Sequence, residues 1–218
     1  AAGIACQHLV CSLASERLPQ SYGFDPLFDI QVLCCGRKGP LGTEALNVRL
    51  QSLLNPPAPN KPEVRLFETV FRLGDKVMQV KNDYDIPFTR TDGEPGAGAF
   101  NGEIGVVERI NPAAGTMTVL CEDRHLEYTS DNLHKLELAY AVTIHKSQGS
   151  EFEAVVIPLS EVPALLQYRN LLYTGVTRAK RLCVLAGEER VLETMVHAGK
   201  KNKRFSCLAH FLQDEDLV

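Results

Sequence analysis

Hydrophobic and polar positions change period twice along the chain. From Gly3 to Leu18 the apolar residues recur at helical spacing, and the pattern stops at Pro19. Asp29-Ile-Gln-Val-Leu-Cys-Cys35 is a short apolar run bounded by Gly36, which predicts a strand buried on both faces of a parallel sheet. A loop from Gly36 to Gly42 follows, then a helix carrying Ala45, Leu46, Leu50, Leu53 and Leu54, with Thr43 as its expected N-cap. Asn55-Pro-Pro-Ala-Pro-Asn-Lys-Pro62 then breaks regular structure. Between residues 73 and 135 the period shortens to that of strands, at Lys76–Lys81, Gly105–Ile110, Thr116–Cys121 and His125–Thr129. Turn residues separate them at Asn82-Asp83, Asn101-Gly102 and Asn111–Gly115, and Thr91–Gly98 reads as a loop. Four or five short strands in so small a span predict a small antiparallel barrel. After residue 136 the pattern alternates again. Strands are expected at Glu137–Ile144, Val155–Ile157 and Leu182–Ala186, with helices at Pro163–Leu172 and Glu188–His197. The fold class is therefore α/β: a helix-covered parallel sheet formed by residues 1–72 and 136–218, with an antiparallel β-barrel inserted at 73–135.

Composition changes this picture little. The chain has 218 residues, 44% hydrophobic and 23% charged, which is enough for a packed core. No apolar run approaches the ~20 residues that span a bilayer, so no membrane partner is expected. The first residues lack the basic region of a secretory signal and there is no initiating Met, which reads as a piece of something longer. Seven cysteines without a CxxC pair suit a reducing, cytoplasmic setting. Cys6, His8 and Cys11 have ligand-like spacing but no fourth partner nearby, so no metal site is expected. The net charge of −4 does not advertise nucleic-acid binding. Its distribution is uneven, however. Val176–Arg204 holds eight Lys/Arg against three Glu, a net of +5, whereas Lys61–Lys135 holds nine against thirteen, a net of −4.

Chemistry concentrates after the third block's first strand. Thr143-Ile-His-Lys-Ser-Gln-Gly-Ser-Glu-Phe152 delivers Thr143, His145, Lys146, Ser147 and Gln148 at a strand end, where ligands bind in open α/β sheets, and Gly149 permits a tight turn. A lone His or Lys is usually a solvated side chain, but ten ordered positions are a specific signal. This string resembles motif V of superfamily 1 helicases in the branch of RecD, the exodeoxyribonuclease V alpha chain. Asn170-Leu-Leu-Tyr-Thr-Gly-Val-Thr-Arg-Ala-Lys180 is similar to motif VI of the same family, and Cys35-Gly-Arg-Lys-Gly-Pro-Leu-Gly42 resembles its motif IV, departing at Cys35-Gly36 where Pro-Met is frequent. Leu73–Tyr84 and Phe100–Val107 resemble the family's inserted SH3-like barrel.

The resemblance implies a second RecA-like motor domain of an ATP-dependent DNA helicase acting in recombination and repair. It implies that Arg178 and Arg37 are catalytic arginines on the ATP phosphates. An arginine finger of this kind contributes ~10³–10⁵ in rate because its planar fork meets charge spread over phosphoryl oxygens. Gln148, Gly149 and Glu151 would complete the nucleotide contacts, with Glu151 at the ribose. Thr143, His145, Lys146, Lys76, Asn101 and Tyr173 would line the path of single-stranded DNA. No GxxxxGK[ST] phosphate loop and no apolar strand ending in Asp-Glu occurs in the 218 residues. ATP and Mg²⁺ are thus expected on the intact protein, with an N-terminal motor domain as partner, and none on this chain alone. The parent would work by itself or with RecB- and RecC-like subunits. Two other readings stand beside this one: a nucleic-acid-binding adaptor without a motor, and a relaxase-type or viral-type superfamily 1 helicase.

Overall fold

A computed structural model describes residues 2–199 of the chain. The elements run α1 (Ala2–Ser12), a π-helical turn (Leu13–Arg17), α2 (Leu18–Tyr22), β1 (Ile30–Cys34) and α3 (Thr43–Leu54). Then come β2 (Glu63–Leu66), β3 (Thr69–Arg72), β4 (Lys76–Gln79), β5 (Asp83–Arg90), β6 (Pro95–Ala99) and β7 (Ile104–Asn111). They continue with β8 (Thr116–Cys121), β9 (Arg124–Tyr128), β10 (Leu136–Leu138), β11 (Ala141–Thr143) and β12 (Phe152–Leu159). The last are α4 (Arg169–Val176), β13 (Ala179–Gly187) and α5 (Glu189–His197).

Four strands form a parallel sheet in the order β11-β1-β12-β13. Its residues alternate between two cores. Ile30, Val32, Cys34, Ala154 and Val156 pack with Cys6, Val10, Leu46 and Leu50 of α1 and α3. Leu33, Cys35, Val155 and Ile157 pack with Leu171, Leu172, Val191 and Met195 of α4 and α5. Helices on both faces explain why β1 and β12 read as mostly apolar runs, with one polar residue each, Gln31 and Glu153. At the β11 edge, Asn47 donates to the Ala141 carbonyl at 2.9 Å and accepts from its amide at 2.8 Å.

Seven strands form the antiparallel sheet, in the order β10-β4-β7-β8-β9-β5-β6. Strict alternation of burial along β8 marks it as a barrel wall with one face inward. Val77, Ile86, Val107, Met117, Leu126 and Tyr128 fill the inside. The α/β unit with an inserted SH3-like barrel is thus the observed architecture.

Several expectations need correction. The first helix does not stop at Pro19. A proline inside a helix clashes with the carbonyl four residues earlier. The turn before it widens to π geometry, with the Leu18 amide donating to Leu13, and the helix continues to Gly23. Gly42, not Thr43, caps α3, and a Cβ there would strike the Arg37 carbonyl. Glu137–Ile144 is two strands in two sheets, because Gln31 donates to the carbonyls of Ala139 and Tyr140 and holds the chain as it steps across. The expected loop Thr91–Gly98 overlaps β6, which pairs with β5; Gly96 leaves room for the Phe88 ring. Pro163–Leu172 is a 3₁₀ turn at Ala164–Leu166 followed by α4, since Pro163 and Gln167 both leave helical dihedrals. β2 and β3 form a hairpin that the proline-rich segment hid. The Asn101-Gly102 turn joins β6 and β7, which pair with different neighbours, so the chain turns a corner there.

Two buried charged groups lie at the seam between the sheets. The Asp75 carboxylate accepts from Gln51 Nε2 (2.6 Å), Asn55 Nδ2 (2.6 Å), the Arg72 amide (2.7 Å) and Tyr140 Oη (2.8 Å). Burial pushes its pKa up, against the lowering effect of these donors. Lys76, only 4% exposed, reaches the Ile30 carbonyl at 3.4 Å and lies 5.9 Å from the centre of the Phe152 ring. Burial lowers its pKa from 10.5 to about 8, and Asp25 and Asp29 oppose that shift.

Asp75→Asn keeps the volume but turns an amide NH₂ toward two donors, so it should cost about 2–4 kcal/mol in urea unfolding. A loss below ~0.5 kcal/mol, the usual size for a surface change, would show that the four bonds carry no weight. Lys76→Met should stabilise the fold at neutral pH by on the order of 1–3 kcal/mol. The folded lysine titrates below the unfolded one, so the unfolded chain holds the extra proton between about pH 8 and 10.5 and wild-type stability gains on the variant there. The difference between the two proteins is therefore full below pH 8 and gone by 10.5. A difference independent of pH would contradict the burial of a charged amine.

Candidate nucleotide and nucleic-acid site

The chain leaves β11 at Thr143 in a single tight turn. Amides of Lys146 and Ser147 donate to the Thr143 carbonyl at 2.9 and 3.1 Å, and the Lys146 amide lies 3.3 Å from Thr143 Oγ1. Buried Ser147 closes the turn on the Ile144 carbonyl at 2.9 Å. This leaves His145 outside, its Nε2 3.1 Å from Tyr168 Oη, and sends Lys146 Nζ to Glu137 Oε2 at 2.9 Å. Gln148, Gly149 and Glu151 are exposed, and Gly149 has a φ of 92°, a conformation that side chains resist.

Arg178 follows α4 directly. Its Nε donates to the Thr174 carbonyl at 3.2 Å and its Nη1 to the Ser150 carbonyl at 3.1 Å, while Nη2 makes only a 3.4 Å contact with Thr177 Oγ1. The Phe152 amide donates to the Arg178 carbonyl at 2.9 Å. The guanidinium thus ties the loop after β11 to the end of α4. Tyr173 stands 69% exposed on the same helix.

Arg37 does not join this group. It follows the end of β1, whereas Arg178 precedes β13, whose first residue pairs with Phe152 at the start of β12. All four strands run parallel, so the two arginines leave opposite ends of the sheet. Six residues of strand rise, ~3.3 Å each or about 20 Å, separate these levels. The Arg37 side chain instead meets Glu137 Oε1 at 3.1 Å and Glu44 Oε1 at 3.5 Å. Thr143 and Lys146 line the same recess.

Asn101 lies at a cleft of about 350 Å³ between the barrel and the loop after β11, lined also by Glu103, Arg124, Gln148, Ser150 and Phe152. The Asn101 amide donates to Asn82 Oδ1 at 2.8 Å. Lys76, expected on a strand path, is instead sealed in the seam described above. Of the basic stretch Val176–Arg204, residues 200–204 lie outside the described residues. The spacing of Cys6 and Cys11 is explained by the core in which both are buried, Cys6 donating to the Ala186 carbonyl.

Sequence reasoning missed Glu137, whose only mark is one charge in the apolar run Leu136–Val142, and Tyr168, which has no mark at all. It also passed over the exposed pair Tyr84 and Phe100, edge to face at 5.9 Å. No helix among the described residues is long and apolar enough to cross a membrane.

Residues 46–120 match the family model of the SH3 domain of ATP-dependent RecD-like DNA helicases, and residues 138–186 match that of the UvrD-like helicase C-terminal domain. An ATP-dependent RecD2 DNA helicase of Deinococcus radiodurans is 39% identical over 72% of the chain and 20% of its own length. The RecD subunit of the RecBCD enzyme of Mycobacterium tuberculosis is 31% identical over 73% of the chain and 25% of its own length. The chain therefore spans about a fifth to a quarter of these relatives. A Bacteroides Pif1 helicase in complex with ADP-AlF3 and ssDNA shares the fold at a TM-score of 0.50 and 21% identity, over 85% of this chain and 46% of that one. Two helicase models, one over α3 and most of the barrel and one over the segment that carries Thr143 and Arg178, together with these relatives, lead to one conclusion: the chain belongs to the RecD-type superfamily 1 DNA helicases.

Proposed function

We propose that the parallel sheet and its helices form the second RecA-like motor domain of an ATP-driven helicase moving 5′ to 3′ on single-stranded DNA, with the barrel as its insert and β10 (Leu136–Leu138), expected in the motor, belonging to the barrel sheet. The observation that carries this reading is Arg178, whose guanidinium is held by two carbonyls while Nη2 keeps only a long contact. Fixing two edges of a guanidinium in advance removes the reorganisation that a transition state would otherwise require. The site suits a nucleoside triphosphate: one oriented guanidinium, with Gly149 and Glu151, both exposed, on either side in sequence of the Ser150 whose carbonyl holds it. ATP with Mg²⁺ supplies the phosphoryl group when bound, and a phosphate loop on another RecA-like domain would hold it. Arg178 would then stabilise charge on the phosphoryl oxygens, Glu151 and Gln148 would orient the nucleotide, and Gly149 would let the loop approach it.

The other end of the sheet suits nucleic acid. Thr143, His145 and Lys146 stand together there, whereas Tyr173 and Asn101 lie toward the Arg178 end, Tyr173 on the last turns of α4 and Asn101 in the cleft with Gln148, Ser150 and Phe152. Arg37 fits this end better than the nucleotide, given its distance along the strands from Arg178. Lys76 has no place in the strand path. Relatives named as RecBCD subunits suggest RecB- and RecC-like proteins as partners of the parent.

In the parent helicase, Arg178→Ala should lower the ATPase kcat by about 10³-fold or more. Oligo-dT affinity should stay within about threefold, equivalent to ~0.7 kcal/mol. Steady-state kinetics and fluorescence anisotropy read the two effects, and an ATPase within about threefold of wild type would exclude the finger role. The chain by itself should bind ATP–Mg²⁺ more weakly than about 10 µM in calorimetry. Tighter binding would mean that these residues carry a complete nucleotide site.

A further inference from the structure

Glu137 uses both carboxylate oxygens on two cations: Oε1 meets Arg37 Nη2 at 3.1 Å and Oε2 meets Lys146 Nζ at 2.9 Å. The three residues come from separate places, the loop after β1, strand β10 and the turn after β11. Glu44 is the one other carboxylate paired with this group among the described residues, 3.5 Å from Arg37 Nε. None of the four is deeply buried; their side chains are between 25% and 55% exposed. Water and solutes therefore reach the cluster.

A carboxylate that bridges two cations presents two oxygens and one negative charge. A phosphodiester presents the same, two non-bridging oxygens sharing one charge, and it suits an arginine fork equally well. The recess around the cluster also contains Thr143 and Thr43, whose hydroxyls are neutral hydrogen-bonding groups. His145 stands exposed next to Lys146.

We propose that Glu137 is the internal counter-ion of a phosphodiester site made by Arg37 and Lys146, holding both cations in position and giving them up when a strand phosphate enters. This rests on the reading above that this end of the sheet meets single-stranded DNA. Arg37 is then a strand contact and not a nucleotide contact. Glu137 belongs to β10, which pairs with Met78 of the barrel sheet, while both cations belong to the parallel unit. The exchange of partners therefore releases one tie between the barrel and the motor each time a phosphate is bound.

The test is anisotropy of labelled oligo-dT with the 218-residue chain between low and moderate salt, for wild type, Glu137→Gln, Arg37→Gln and the double variant. Thermal melts serve as the folding control. Glu137→Gln preserves shape and removes the competing charge. It should tighten binding by about three- to tenfold and steepen the log–log salt dependence by ~0.7 for every additional strand phosphate engaged. Arg37→Gln should weaken binding, and the double variant should lose most of the tightening. Equal or weaker binding by a folded Glu137→Gln variant, with measurable wild-type binding, overturns the counter-ion site alone. Salt-insensitive binding in every variant overturns it as well, because stacking and not phosphate contact would then dominate. No binding by any of the four proteins overturns both this site and the DNA-facing reading beneath it.

Discussion

One buried carboxylate fixes how the two sheets meet. Asp75 collects donors from α3, from the end of the β2–β3 hairpin and from the chain that steps between β10 and β11. In a low-dielectric seam each of those donors would be left unpaired if the barrel rotated or slid, and an unpaired buried donor is costly. Asp75 also sets the barrel's first rung, because its carbonyl accepts from Val107. The position of β10, and with it Glu137, follows from that anchor. The cluster of Glu137 with Arg37 and Lys146 thus depends on a residue that touches none of them.

The parallel sheet and the loop after β11 were legible in the sequence for a physical reason. β1 and β12 are buried on both faces, so burial writes itself as a mostly apolar run broken once in each strand, at Gln31 and Glu153, and β8 alternates because only one face is covered. Other parts leave no such mark. β6 is Pro-Gly-Ala-Gly-Ala, a strand held by backbone pairing and by the Phe88 ring over Gly96, with no side-chain pattern of its own. The step at Ala139–Tyr140 is apolar throughout and looks like the interior of one strand. A lysine reads the same whether it reaches solvent or, like Lys76, is drawn under a phenylalanine ring. Burial of a charge is decided by distant partners, which local periodicity does not contain.

The placement of Arg37 illustrates the same limit at the level of a site. Its neighbours in the chain suggested a phosphate-binding arginine, and the type of residue was right for anions. Which anion it faces depends on the end of the sheet from which it emerges. That is a property of strand direction and register, set by the pairing of β1 with β11 and β12. Residues that look equivalent in sequence can therefore sit about 20 Å apart along a rigid parallel sheet.

The double hydrogen bond between Asn47 and Ala141 has a consequence beyond holding α3 in place. β11 is a three-residue strand at the border of the parallel sheet, and its outward amide and carbonyl at Ala141 would otherwise be free to recruit another chain. The side-chain amide imitates a neighbouring strand one residue long and satisfies both groups. Sheet growth ends there, so the turn carrying His145 and Lys146 opens to solvent beside a border that self-association cannot extend.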